Sequence, residues 1–206
     1  MPSSLAGALA AAAGALEGSA AELNRLDSYA GDGDLGVTMS EVARTVEEVV
    51  AAGEADGPAQ LLAGCGVAVA RAAPSTSGTL VATGLLRASK ALPAGGAPVE
   101  ALESAFAAAM EAIAARGKAS VGDRTLLDGL DAVCASLRAS AGEGSDWRRA
   151  LRRAAGAASA AAEATADMVP KTGRASWAPE RALGHPDAGC TMLALVLAAV
   201  AAAAGT

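Results

Sequence analysis

The chain has 206 residues, 52 % of them hydrophobic but only 2 % aromatic, and carries a formal net charge of −6. That length supports one domain, spanning 1–206, around a single core. The charge excludes a general nucleic-acid binder, which needs a basic face against phosphates, but leaves room for a nucleotide whose charge a metal ion meets locally.

An interior of Ala, Leu and Val favours helices. The first stretch, "MPSSLAGALAAAAGALEGSAAEL", has no Lys or Arg ahead of its apolar run, which a secretory signal requires, so an amphipathic first helix is expected. Gly and Pro cluster at 31–36, 53–58, 72–78, 93–98, 117–122, 142–146 and 170–189. The segments between them predict helices over about 4–25, 38–52, 58–72, 78–91, 98–116, 124–140, 146–168 and 189–204. No segment sustains the two-residue alternation of a strand. Thr38 and Glu41 have the spacing of a capping box. Pro58 and Pro98 suit first helical turns, and Asp123 or Thr125 can cap the sixth helix. The stretch from Ala188 onward is uncharged and long enough to span a bilayer. It is mostly Ala and Gly around a single strongly apolar "MLALVL", so a buried last helix is expected and no membrane anchor. Short connections between long helices predict an all-α, up-and-down antiparallel bundle or closed barrel of about eight helices. Cys65, Cys134 and Cys190 form no CxxC pair, which fits reduced thiols and a cytoplasmic setting.

The chemistry concentrates in "LNRLDSYAGDGDLGVTM". Asp27, Asp32 and Asp34 do not share one face of a continuous helix. They converge only if the chain turns, which Gly31, Gly33 and Gly36 permit. Three facing carboxylates repel unless a cation sits between them, and an all-oxygen set suits Mg²⁺ or Ca²⁺ rather than zinc. A calcium EF-hand loop fails in either register. Started at Asp32 it places Gly36 and Ala43 at ligand positions, and started at Ala30 it places Leu35 where Gly is required. The alternative is a solvated acidic turn. The helix start near Gly36, Val37 and Thr38 presents backbone N–H groups and a positive dipole end beside the aspartates, a combination that binds phosphate. "APSTSGTL" offers hydroxyls and a second helix start. The long loop "KTGRASWAPERALGHPDAGCTM" supplies Lys171, Arg174 and Arg181; an arginine there can fork onto a phosphate. His185, with no nucleophile motif near it, reads as a structural histidine in a turn and gives no hydrolase triad.

Together the blocks "LNRLDSYAGDGDLGVTM", "STSG", "GKASVGDRTLLDGL" and "KTGRASWAPERALGHPDAG" resemble, in order and spacing, the L subunit of dihydroxyacetone kinase, from about residue 20 onward. The resemblance implies a barrel of eight helices with the nucleotide at one end. It implies that Asp27, Asp32 and Asp34 hold two Mg²⁺ ions between the phosphates of ADP or ATP. Leu35, Gly36, Val37 and Thr38, with Thr76 and Ser77, then contact phosphate, and Gly117, Leu126, Asp187, Ala188 and Gly189 form the adenine side. Arg174 contacts the phosphates as the catalytic residue. A separate K-type subunit is expected to hold dihydroxyacetone or a related small ketose, so this chain is expected to be inactive without that partner. The phosphoryl donor is ATP in one branch and a phosphotransferase-system protein acting on bound ADP in the other. A homodimer is compatible with the resemblance. Departures are Pro74 and Ser75 where two glycines are usual, Arg124 for Lys, Leu126 for Met, Ala188 for Pro, and Leu35 for a polar residue. A different class of function is a nucleotide-loaded regulatory or interaction module without kinase activity.

Overall fold

The computed structural model describes residues 5–93 and 97–205. The expected helix start at residue 4 and part of the 93–98 break lie outside the described residues. The α-helices are α1 (Leu5–Gly18), α2 (Ala20–Asp27), α3 (Leu35–Ala52), α4 (Pro58–Ala72), α5 (Thr76–Ala91), α6 (Pro98–Gly117), α7 (Leu126–Gly142), α8 (Trp147–Ala164), α9 (Pro179–Ala182) and α10 (Ala188–Ala204). Single 3₁₀ turns cover Thr165–Asp167 and Arg174–Trp177. No strand occurs among the described residues.

The eight long helices close a ring. Each packs on the next in the order α1, α3, α4, α5, α6, α7, α8, α10, and α10 returns to α1. Successive members joined by short connections run antiparallel. One end of the barrel therefore collects the N-termini of α3, α5, α7 and α10, with α2 beside them. Small side chains let the walls approach closely. Ala150, Ala154 and Ala158 of α8, one turn apart, are all fully buried, and Gly129 of α7 lies against Cys190 and Leu193 of α10. Leu127, Leu130, Val133 and Leu137 fill the half of the core bounded by α6, α7, α8 and α10. Leu23, Leu35, Met39, Val42 and Val69 fill the half near α1 to α5. α10 is lined by buried Met192, Leu193, Ala194 and Leu197, as expected of a core helix. Among the described residues no helix is long and apolar enough to cross a membrane.

Local signals were met in part. Pro58 and Pro98 open α4 and α6. Thr125 caps α7: the Leu127 N–H donates to Thr125 Oγ1 at 3.2 Å, and the Thr125 N–H donates to Asp128 Oδ2 at 2.8 Å. Two expectations are corrected. The first helix breaks at Ser19 into α1 and α2, where Gly18 and Ser19 are poor helix formers. The Thr38/Glu41 capping box does not form. α3 begins three residues earlier, Thr38 lies inside its first turn with its N–H on the Asp34 carbonyl at 3.0 Å, and Glu41 pairs with Arg44. Its cap comes from α2 instead: Asn24 Oδ1 accepts the Gly36 N–H at 2.6 Å and the Val37 N–H at 3.2 Å. Gly36 is required there, because a Cβ would run into the Ala20 carbonyl of α2.

Candidate functional site

The aspartate turn sits at the collecting end of the barrel. Asp27 is the last residue of α2. Its Oδ2 accepts the Gly33 N–H at 2.8 Å and the Asp34 N–H at 3.1 Å, folding the following loop back over it. Gly33 makes this possible with φ of 77°, in the region that favours glycine. Asp27, Asp32 and Asp34 thereby offer carboxylate oxygens that all lie within 4.8 Å of one another, with Asp32 and Asp34 exposed. The spacing and the all-oxygen donor set fit a hard divalent cation.

Around these carboxylates stand two helix starts. At α5 Ser75 is the N-cap, its Oγ accepting the Gly78 N–H at 3.0 Å. Thr76 and Ser77 follow in the first turn, and Thr38 Oγ1 of α3 reaches Ser75 Oγ at 3.5 Å, so the α3 and α5 starts adjoin. The residues named for phosphate contact divide. Thr38, Thr76 and Ser77 lie at these starts, and Val37 is 65 % exposed. The Gly36 and Val37 amides already have Asn24 as acceptor. Leu35 turns its side chain into the core, on the same face of α3 as Met39, Val42 and Val46, which accounts for an apolar residue directly after the last aspartate.

A second group forms at the starts of α7 and α10. Gly189 approaches Leu126 so closely that an added Cβ would stand 3.4 Å from the Leu126 Cβ. Asp187 caps α10, its Oδ1 accepting the Cys190 N–H at 2.8 Å, and Ala188 is buried behind it. Burial raises the Asp187 carboxyl above its ordinary range, with the Cys190 amide and the Arg124 guanidinium opposing. Burial likewise holds the Cys190 thiol protonated. Its Sγ donates to the Thr125 carbonyl at 2.9 Å. Gly117 stands apart at the end of α6, against Leu80 of α5.

The segment 165–187 joins the two groups. From it Arg174 forms an ion pair with Asp32. Arg181 Nη2 donates to the Ser28 carbonyl at 3.3 Å. His185 stacks on Tyr29 with ring centroids 3.4 Å apart and planes 4° from parallel. Arg25 donates to the Tyr29 hydroxyl at 2.8 Å. Arg174 is therefore at the aspartates. Asn24, Tyr29 and Arg124 were not singled out from the sequence for the parts they play here. The only signal for the ring stack was that the chain has one Tyr and one His. A groove of about 630 Å³ beside Asn24, Val37 and Glu41 opens on the outer face of α2 and α3 and does not take in the aspartates.

Fold and site define a closed all-α barrel with an oxygen-donor cluster, two helix starts and a guanidinium at one end. A family model described as the DAK2 domain matches residues 29–202. The chain is 39 % identical over 179 residues to triokinase/FMN cyclase of Homo sapiens, across 86 % of this chain and 31 % of that protein. It is 38 % identical over 200 residues to the D-erythrulose kinase of Mycolicibacterium smegmatis, across 96 % of this chain and 34 % of the relative. Against the ADP-binding subunit DhaL of the PEP-dependent dihydroxyacetone kinase of Escherichia coli it is 33 % identical over 184 residues, across 88 % and 87 % of the two chains. The crystal structure of the C. freundii dihydroxyacetone kinase in complex with AMP-PNP and Mg²⁺ aligns with a TM-score of 0.76 at 29 % identity, across 98 % of this chain and 34 % of that one. The chain belongs to the DAK2-domain family and has the DhaL-type helical fold. It spans about a third of the human and mycobacterial relatives and most of the E. coli subunit.

Proposed function

We propose that this chain is the nucleotide-binding part of a dihydroxyacetone-kinase-type phosphotransferase. It holds ADP or ATP with Mg²⁺ and passes a phosphoryl group to dihydroxyacetone or a related small ketose carried by a K-type subunit or domain. The observation that carries this reading is the convergence of Asp27, Asp32 and Asp34 within 4.8 Å beside the α3 and α5 starts and Arg174. The named activities of the relatives, on triose or erythrulose, support the substrate class, and the AMP-PNP and Mg²⁺ of the C. freundii structure support the ligand pair.

In this reading the three aspartates hold two Mg²⁺ ions, which neutralise phosphate charge and lower the cost of charge moving between oxygens during transfer. The chain itself supplies position and electrostatics, with no nucleophile of its own. Thr38, Thr76 and Ser77 direct hydroxyls and backbone dipoles toward the phosphates. Arg174, a planar donor beside Asp32, forks onto a phosphate oxygen and offsets charge there. The turn of Asp187, Ala188 and Gly189, with Leu126, walls the base, and Gly117 borders it from α6. The ketose is carried by the K-type subunit or domain, and the ultimate donor is ATP or a phosphotransferase-system protein. Native mass spectrometry of the tag-free chain with Mg²⁺ and ADP tests the reading. A mass increment of one ADP with two Mg²⁺ is expected, and Asp32→Ala should abolish it. A wild-type chain that takes up no ADP under these conditions overturns the proposal.

A further inference from the structure

We infer that Arg124 is the positioning residue of the site: one buried guanidinium sets the register of the whole 165–187 segment and, through it, the placement of Arg174 and His185 against the aspartate turn. The inference rests on the nucleotide reading above for its consequence on ADP, and on geometry alone for its consequence on the segment.

Arg124 is only 4 % exposed. Nε donates to the Thr165 carbonyl at 3.0 Å, and Nη2 donates to the carbonyls of Ala182 at 3.0 Å and His185 at 2.7 Å. These acceptors stand at the start of the segment and near its end, so one side chain closes a loop of about twenty residues. A guanidinium suits this because its donors are fixed in a planar fork on separate nitrogens, whereas an ammonium directs its three donors from one point at the end of a flexible stem. The backbone of Arg124 is itself unusual, with φ of 62° in the left-handed region. Such a conformation costs a non-glycine residue free energy and persists where the surroundings impose it. The guanidinium also favours the charged form of the Asp187 carboxyl, against the burial that raises its pKa.

Three further bonds hold the same segment, one to the residue before Arg124 and two between the segment's own ends. The Lys171 N–H donates to the Asp123 carbonyl at 3.2 Å, the Gly184 N–H to the Ala166 carbonyl at 2.9 Å, and the Asp187 N–H to Thr165 Oγ1 at 2.7 Å. These are single bonds between chain neighbours in space. Two of them join the segment's ends directly; the Arg124 fork adds three bonds from one buried side chain outside the segment, on Thr165, Ala182 and His185, the last being the residue that reaches across the site. His185, whose carbonyl takes the shortest of the three bonds, lays its ring on Tyr29, two residues from Asp27. A continuous path therefore runs from Arg124 through His185 and Tyr29 to the carboxylates. Buried hydrogen bonds from a charged donor are the stronger kind, and losing the donor strands three carbonyls.

The test uses the tag-free full-length chain with Arg124→Lys and Arg124→Met. The single histidine gives one imidazole Cε1–H signal in the proton NMR spectrum, shifted upfield by the Tyr29 ring. In both variants that signal should move to the free-histidine position. Trypsin cleavage after Lys171, Arg174 and Arg181 should rise about tenfold, with the helical circular dichroism retained. Affinity for ADP with Mg²⁺ should fall about tenfold, whereas affinity for Mn²⁺ alone should not fall and should rise by up to about fivefold as Arg174 leaves Asp32, because the aspartate turn is folded by its own bonds to Asp27. If Arg124→Met fails to fold, Arg124→Lys, which keeps the charge, carries the test. An unmoved imidazole signal with unchanged cleavage in the folded variant overturns the inference, as does an equal loss of Mn²⁺ and ADP. If the wild-type chain binds no ADP, the nucleotide reading fails while the NMR and cleavage results still decide the role of Arg124.

Discussion

Replacing Asn24 with Ala removes the acceptor that holds the start of α3, and its effect can be sized from two bonds. The Gly36 N–H bond at 2.6 Å is short and lies at a buried residue, and the Val37 N–H bond at 3.2 Å is longer and exposed. Loss of a helix cap costs about 0.5–2 kcal/mol. The buried amide loses its partner without gaining water, which places the change in the upper half of that range, at about 1.5 kcal/mol. For a chain of this size each kcal/mol lowers Tm by roughly 2–4 °C, so a drop of about 3–6 °C is expected by calorimetry. Asn24→Asp keeps an acceptor and adds a negative charge at a helix N-terminus, so it should retain most of the lost stability. It also adds a fourth carboxylate near Asp27, Asp32 and Asp34, and should tighten Mn²⁺ binding while weakening ADP. An Asn24→Ala chain with wild-type Tm would refute the reasoning that α3 is capped from α2.

The other predictions concern charge, space and burial. Arg174→Gln takes a competing cation off Asp32, so Mn²⁺ alone should bind up to about fivefold tighter, the scale of an exposed ion pair, while ADP with Mg²⁺ binds more weakly. Titration calorimetry reads both, and loss of both affinities would contradict the placing of Arg174. Gly36→Ala drives a methyl into the Ala20 carbonyl and should cost about 1–3 kcal/mol by denaturant unfolding. Ser140 is fully buried with no hydrogen-bond partner for its Oγ, so Ser140→Ala should be neutral or raise stability by up to about 1 kcal/mol. The Asp187 carboxyl has its pKa raised in the folded chain. The folded state then binds the proton more tightly than the unfolded one, and this group's contribution to stability falls as pH rises from 3.8 through the raised value. Asp187→Asn should flatten that part of the stability profile while keeping an acceptor for the Cys190 amide. An unchanged slope would show that the carboxyl is not penalised by burial.

The aspartate turn was legible in the sequence because it is local: three carboxylates and three glycines within ten residues determine how the chain must bend. The long helices were legible for the same reason, being long Ala-rich segments between clusters of Gly and Pro. What escaped was set by contacts between distant residues. The start of α3 depends on Asn24, twelve positions before Gly36, so the nearer Thr38 and Glu41 looked like the cap. Leu35 made no sense as a phosphate-facing residue because it begins the buried stripe continued by Met39, Val42 and Val46. The break at Ser19 lies at two poor helix formers, Gly18 and Ser19, but the close approach of Gly36 to Ala20 beyond it is a contact that no local propensity records. The hold of Arg124 on carbonyls up to 61 positions away, and the stacking of His185 on Tyr29, became visible only once the barrel brought those segments together.

The most direct test of the central claim is a calorimetric titration of ADP into the tag-free chain, run with Mg²⁺ and again with the metal chelated, for wild type and for Asp32→Asn. Saturable binding that requires Mg²⁺ and is lost in Asp32→Asn is the predicted result. ADP binding of equal strength without the metal, or retained in Asp32→Asn, would contradict the assignment of Asp27, Asp32 and Asp34 as the cation-holding half of a nucleotide site.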